Sequence, residues 1–177
     1  MMGRGPAMPR FLTRLPVLLA SALLWAAPSL AADPDVVLDQ GLSFGSVVHS
    51  GAGTVTVDTD GRAAYSGGVE PFRQGPMPRE GRAVVGGDPG QAVTISVAGG
   101  GGTAALGAWT IDGLVVAVDG VQAPVAERSA TGGVTVSLSP IPGAVAEVRI
   151  GGRLAIPSSQ VDPGTMVGTV IVEATYE

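Results

Sequence analysis

Apolar residues in this chain recur at every second position, in one segment after another. Val55 and Val57 alternate with Thr54 and Thr56, and Val93, Ile95 and Val97 with Thr94 and Ser96. Val134, Val136 and Leu138 alternate with Thr135, Ser137 and Ser139, and Ala146, Val148 and Ile150 with Glu147 and Arg149. A period of two sends successive side chains to opposite faces of an extended backbone, so each segment reads as a strand with one dry face and one wet face. An amphipathic helix needs a period of 3.6, and no stretch of 12 residues after residue 32 carries one cleanly. No substantial helix is predicted. The continuous run Leu114 to Val118 fits a strand buried on both faces. Valine and threonine dominate the segments, as suits a pleated, half-buried surface.

Turn residues separate these runs. They include Asp60-Gly61, Gly67-Gly68, Asp88-Pro89-Gly90, Gly99 to Gly102, Asp112-Gly113, Asp119-Gly120, Gly132-Gly133, Gly151-Gly152 and Asp162-Pro163-Gly164. Such residues supply a positive φ or a fixed proline φ at a reversal. With 28 Gly and 14 Pro in 177 residues, the chain approaches the composition of disordered proteins. Disorder, however, goes with low hydrophobicity and high charge. Here 45% of residues are hydrophobic and only 14% charged, so the glycines are read as turns. The absence of a Gly-X-Y period, of heptads and of cysteine excludes collagen, coiled coils and disulfide-framed miniproteins. The pattern predicts one immunoglobulin-like antiparallel β-sandwich over residues 32–177, with Pro71 to Arg82 as its longest loop.

The first 31 residues read as a signal peptide. Arg4, Arg10 and Arg14 precede an apolar run from Leu15 to Leu30, and Ser29-Leu30-Ala31-Ala32 offers small residues for cleavage after Ala31 or Ala32. The run is short of the ~20 residues a spanning helix needs, and Pro16 and Pro28 interrupt it. No membrane span is expected in the mature chain, and without cysteine no lipid anchor. Export to the periplasm, the cell surface or the medium follows. The mature chain carries 7 Arg, no Lys and 15 Asp plus Glu, a net charge of −8. Nucleic-acid binding requires a basic footprint, and none is present.

Candidate chemistry is thin. His49 is the single histidine and cysteine is absent, so a His/Cys zinc site and a cysteine nucleophile are excluded. A serine triad would have to use His49 with no Gly-x-Ser-x-Gly elbow; a solvated loop histidine is the simpler reading. Asp58-Thr59-Asp60-Gly61 opens like a calcium loop, but position 12 from Asp58 is Val69 rather than Glu, and a hairpin turn is expected instead. The glycines from Gly99 to Gly102 lack the Gly-Lys-Ser/Thr of a phosphate loop. The carboxylates fall mostly in turns and at exposed strand positions, which does not suit the paired acids of glycoside hydrolysis. Trp109 is the only tryptophan of the mature chain, and with Tyr65 it is the candidate for a minimal sugar-stacking platform. Packing in the core or a loop is the competing role for Trp109. No catalytic residue, cofactor or metal site is assigned.

Three pieces in order carry a resemblance. Leu42-Ser43-Phe44-Gly45 stands near the mature N-terminus, Ala83-Val84-Val85-Gly86-Gly87 with Val93-Thr94-Ile95 in the middle, and Val148 to Ile156 with Gly164 to Tyr176 at the end. The chain resembles the bacterial exported domain-of-unknown-function family 4402 (DUF4402), whose members look like pilin or spore-coat-U-type β-sandwich proteins. Gly164, Gly168, Val172 and Tyr176 keep the family's last-strand pattern, while Met166, Val170 and Ala174 stand where larger or aromatic residues are usual. The resemblance implies export in a Gram-negative bacterium and a surface or fimbria-like role, and it brings no catalytic residues.

The expected function is therefore a non-enzymatic structural or adhesive envelope protein, with other envelope or pilus-like subunits as partners. A secreted or periplasmic carbohydrate-binding module is the alternative. In the last strand Met166, Gly168, Val170, Val172, Ala174 and Tyr176 form the expected core face. The mature lead offers only Val36 and Leu38 on one face, which is short for a strand donated to a neighbour. It is expected to pair within its own sandwich, giving a monomer or a weakly self-associating protein.

Overall fold

The computed structural model describes residues 33–100, 110–158 and 169–177, and the alternating segments form strands throughout it. In chain order these are β1 (Asp35–Gln40), β2 (Val47–Val57), β3 (Ala63–Pro71), β4 (Gly81–Gly86), β5 (Ala92–Gly100), β6 (Thr110–Asp119), β7 (Val125–Ser129), β8 (Val134–Ser137), β9 (Val145–Ile156) and β10 (Thr169–Tyr176). There is no helix among the described residues, and so none able to cross a membrane. They all fall within one unit, Ala31–Glu177. The signal peptide expected at residues 1–31 lies outside the described residues.

The large sheet is organised by β9. Along one side β9 carries β6, from Thr110 opposite Ala155 to Asp119 opposite Glu147. Its other side is divided between two partners. β4 pairs with Val145 to Ile150, and β2 takes Gly152 to Ile156. β1, β3 and β7 then extend the sheet from β4, β2 and β6. The second sheet has the order β10-β5-β8. All these pairings are antiparallel, and the two sheets pack as a sandwich.

Because β9 has two successive neighbours on one side, the described residues form two cores. The main one lies between the sheets. Val93, Ile95 and Val97 of β5 and Val134 and Val136 of β8 meet Ala83, Val85, Val116, Val118, Ala146, Val148 and Ile150 of the large sheet. The smaller core gathers Val55 and Val57 of β2, Val69 of β3, and Leu154 and Ile156 of β9. The largest fully buried side chains are Ile95, Leu138, Ile150 and a set of valines. Each such aliphatic side chain contributes about 1.5–3 kcal/mol through its removal from water. The run Leu114 to Val118 is buried at Val116, Ala117 and Val118, while Leu114 and Val115 are half-buried.

The N-terminal lead pairs within its own sandwich. β1 lies antiparallel to β4 and Val36 packs on the main core, while Val37 and Leu38 stay exposed. β10 alternates as expected: Val170, Val172, Ala174 and Tyr176 face the core, and Thr169, Ile171, Glu173 and Thr175 face solvent. Met166 and Gly168 lie outside the described residues.

Positive φ values at Gly61, Gly90, Gly120, Gly132 and Gly133 bear out the turns expected there. Of the expected turn Gly99 to Gly102, Gly99 and Gly100 instead belong to β5, paired with Val170 and Thr169 of β10, and Asp162-Pro163-Gly164 lies outside the described residues. Three other expected turns lie inside strands. Gly151-Gly152 sits buried in β9, where β4 hands over to β2. A Cβ on Gly151 would come 2.4 Å from the Val57 carbonyl oxygen, so the residue is a point of close backbone approach. Gly67, with φ of 68°, lies in β3 opposite an irregularity in β2, and a Cβ there would meet the Ala52 carbonyl at 2.4 Å. Asp112-Gly113 is part of β6, where the register against β9 shifts in a bulge. His49 is likewise a half-buried residue of β2 opposite Val69, not a loop residue.

The two open sides of the sandwich differ. On one, Val121 bridges to Leu138, and Gln122 donates from its backbone to Ser137 O (3.1 Å) and from its side chain to Leu138 O (3.2 Å). On the other, β1 and β10 leave a cleft of about 230 Å³ lined in part by Leu38, Leu42, Ile150 and Val172.

Candidate functional site

Nine residues, 72–80, join β3 to β4 and form one wall of a cleft. Pro71, Pro76 and Pro78 fix φ at three positions around this loop. Backbone hydrogen bonds then fasten it to the segment before β2. Phe72 N donates to Ser46 O (2.8 Å) and Ser46 N to Pro76 O (2.9 Å), while Ser43 and Arg79 exchange both bonds at 2.9 Å. A further bond from Gly75 N to Phe72 O (3.1 Å) closes the tip. The wall is thus held by its own backbone before any ligand arrives, which lowers the ordering cost of binding.

The opposite wall is the start of β3. Tyr65 pairs with Val55 across the β2–β3 ladder and packs on the smaller core, which fixes its ring. The cleft, open to solvent on one side, has a volume of about 650 Å³, within the ~300–1,000 Å³ range of small-molecule sites. Tyr65, Phe72, Met77 and the three prolines give it an apolar lining, and Arg62 and Arg73 supply its charge. Phe72 is 47% exposed and Met77 75%, so apolar surface is presented to water at the rim.

A second polar region covers the outer face of the large sheet. Arg149 donates to Asp60 at 2.6 Å, to Asp119 at 2.7 Å and to the Thr59 carbonyl at 3.3 Å. Thr59 in turn donates from its backbone N–H (2.7 Å) and hydroxyl (2.8 Å) to Glu127. Arg153 holds Asp112 through two parallel bonds of 2.7 and 2.9 Å beside the β6 bulge. That bond keeps the Asp112 carboxyl below its usual range, with the Arg153 charge adding to it against some desolvation. Glu80 is buried. Burial pushes its carboxyl up, but hydrogen bonds from its own backbone and Arg82, with the charges of Arg82 and Arg149, hold it below normal. A general acid needs a raised carboxyl pKa. These shifted carboxylates move the other way, and each is held by an arginine on the large sheet.

Asp58-Thr59-Asp60-Gly61 is the β2–β3 turn. The Asp58 carboxylate accepts the N–H groups of Asp60 (3.0 Å) and Arg62 (2.8 Å), and Gly61 N donates to Asp58 O (3.1 Å). Among the described residues no group of three or more His, Cys, Asp or Glu is placed to hold a metal ion.

Of the two ligand-contact residues read from sequence, Tyr65 lines the cleft and Trp109 lies outside the described residues. Phe72, Met77, Arg62 and Arg73 were missed. The signal that points to them is the cluster Pro71-Phe72-Arg73 followed by Pro76-Met77-Pro78, where stiff and apolar residues crowd a loop otherwise expected to be polar.

No curated protein and no solved structure matches the chain significantly. The family model for the domain of unknown function DUF4402 matches residues 35–176. These are the first residue of β1 and the last of β10, so the match spans the whole sandwich, and the chain belongs to that family.

Proposed function

We propose that the protein is a non-enzymatic, exported component of the cell envelope of a Gram-negative bacterium, structural or adhesive and fimbria-like in its role. The observation that supports this is the difference between the two sides of the sandwich. One carries the Val121–Leu138 bridge, while on the other β10 presents an eight-residue backbone edge that is hydrogen-bonded to no strand among the described residues. An unpaired edge is where another chain can add a strand, so it is a natural contact for a neighbouring envelope subunit. The basic n-region and apolar run before Ala32 support export. Protease shaving of intact cells, with immunogold electron microscopy, tests the reading. Surface-accessible protein is the expected result, and protein confined to the cytoplasm refutes it.

A second reading is favoured by one observation, the preformed cleft between Tyr65 and Phe72. The protein then acts as a secreted or periplasmic ligand-binding module, with carbohydrate as the first class to try. Titration with a glycan panel, followed by Trp109 fluorescence and repeated on Tyr65→Ala, decides it. A saturable response lost in the variant supports the module, and no response to any glycan removes carbohydrate as its ligand.

A further inference from the structure

We propose that the cleft between Tyr65 and the 72–80 loop binds small amphipathic anions, molecules with an aromatic or otherwise apolar body and one carboxylate- or sulfonate-like group. The proposal rests on the ligand-binding reading above and replaces carbohydrate with a different ligand class for the same cleft.

Charge is the first argument. The mature chain has twice as many acids as bases, yet none of the acids lines this cleft. Its only charged lining residues are Arg62 and Arg73. Arg73 makes no ion pair among the described residues. Arg62 reaches Asp60 only at 3.4 Å, and that carboxylate is already engaged by Arg149 at 2.6 Å. Two arginines in an acidic protein thus stand beside an apolar cavity with their planar donor forks largely unused. Carboxylate and sulfonate oxygens match that fork geometry.

The lining decides the rest of the ligand. Three prolines, Phe72, Met77 and Tyr65 offer area but few directional partners. A neutral sugar would bury many hydroxyls against surfaces that cannot bond them, at about 1–3 kcal/mol for each group left unpaired. A flat apolar body suffers no such penalty. It gains from burial against Phe72 and Met77, which water now covers. The loop is already fastened to Ser43 and Ser46, so the body meets a wall that need not rearrange.

The test uses two fluorescent probes that differ in the anion. 8-Anilinonaphthalene-1-sulfonate carries the sulfonate, and N-phenyl-1-naphthylamine has the same aromatic body without it. Both are titrated into the folded protein and into Arg73→Ala, the double variant Arg62→Ala/Arg73→Ala, Phe72→Ala and Arg128→Ala. Circular dichroism and a cooperative melt establish that each variant is folded. The expected result is one saturable site for both probes. The double arginine variant should weaken the sulfonate probe at least tenfold and leave the neutral probe within twofold. Phe72→Ala should weaken both, and Arg128→Ala neither. Equal sulfonate binding with and without the cleft arginines overturns the anion assignment while leaving the cleft as a ligand site. Loss of sulfonate binding in Arg128→Ala to the same extent overturns it too, as bulk charge attraction. Absence of saturable binding by either probe overturns both the anion assignment and the ligand-binding reading.

Discussion

The hydroxyl of Tyr176 accepts the backbone N–H of Asp88 at 2.6 Å, which ties the end of β10 to the turn between β4 and β5. The ring lies against Gly87, where a Cβ would meet the hydroxyl at 2.7 Å. Tyr176→Phe keeps the ring on the main core and removes only the acceptor. The expected loss is about 0.5–1.5 kcal/mol in urea unfolding, the usual value of one such bond. Tyr176→Ala should cost more, because it also removes ring packing.

Glu80 makes stability depend on acid pH. Its carboxyl is held below its ordinary 4.5 in the folded protein. The unfolded chain therefore binds the proton more readily, and folding is favoured most when the group is ionised in both states. Its contribution is complete above the unfolded value and is lost as pH falls through the folded one. Glu80→Gln should lower stability at pH 7 by about 1–2 kcal/mol, the scale of a charge-assisted hydrogen bond. The gap from wild type should narrow below about pH 4 in melts across the acid range. A gap that stays constant with pH contradicts this.

Gly151→Ala and Gly86→Ala separate a close approach from an ordinary strand glycine. The first places a methyl group 2.4 Å from the Val57 carbonyl oxygen, and the second meets nothing within 4 Å. Forcing β2 away from β9 should cost about 1–3 kcal/mol, the usual scale of overpacking in a tight core. Gly86→Ala should be neutral or slightly stabilising, because alanine loses less backbone freedom on folding. Thermal melts of the two variants check the contrast.

Leu138 is 1% exposed and closes the bridged side of the sandwich. Leu138→Ala should cost about 2–5 kcal/mol, since the aliphatic surroundings can only partly collapse into the cavity. A loss under about 1 kcal/mol in denaturant titration would mean that this side repacks freely.

What could be read from sequence follows from what period two encodes. Alternation placed Val93, Ile95 and Val97, or Ala146, Val148 and Ile150, on the buried face, because a strand's two faces are an intrinsic property of its backbone. The pairing of the short lead Val36 to Leu38 within its own sandwich was legible for a different reason, because the lead has too few apolar residues to serve as a donated strand. Glycine was ambiguous. Gly61 and Gly90 turn the chain, but Gly151 marks a crossing of backbones from distant segments, and a local pattern holds no trace of which neighbour comes near. The cleft was half legible. Tyr65 stood out as a rare aromatic, whereas Phe72, Arg62 and Arg73 gain meaning only when the loop is fastened to Ser43 and Ser46, more than 25 residues earlier in the chain.

The Tyr176–Asp88 bond has a geometric partner at the start of the first strand, since Asp35 of β1 stands opposite Gly86, just before the same turn. The domain is therefore entered and left at one pole. Gly86 faces Val145 at the start of β9, whereas Tyr65 reaches β9 through Val55 at Leu154, nine residues further along. At ~3.3 Å per residue that is about 30 Å. Tethered through either end, the molecule would hold its cleft about 30 Å out from the anchor. Pulled by both ends at once, β1 would peel from β4 one rung at a time, so such a protein tolerates being hung more readily than being stretched.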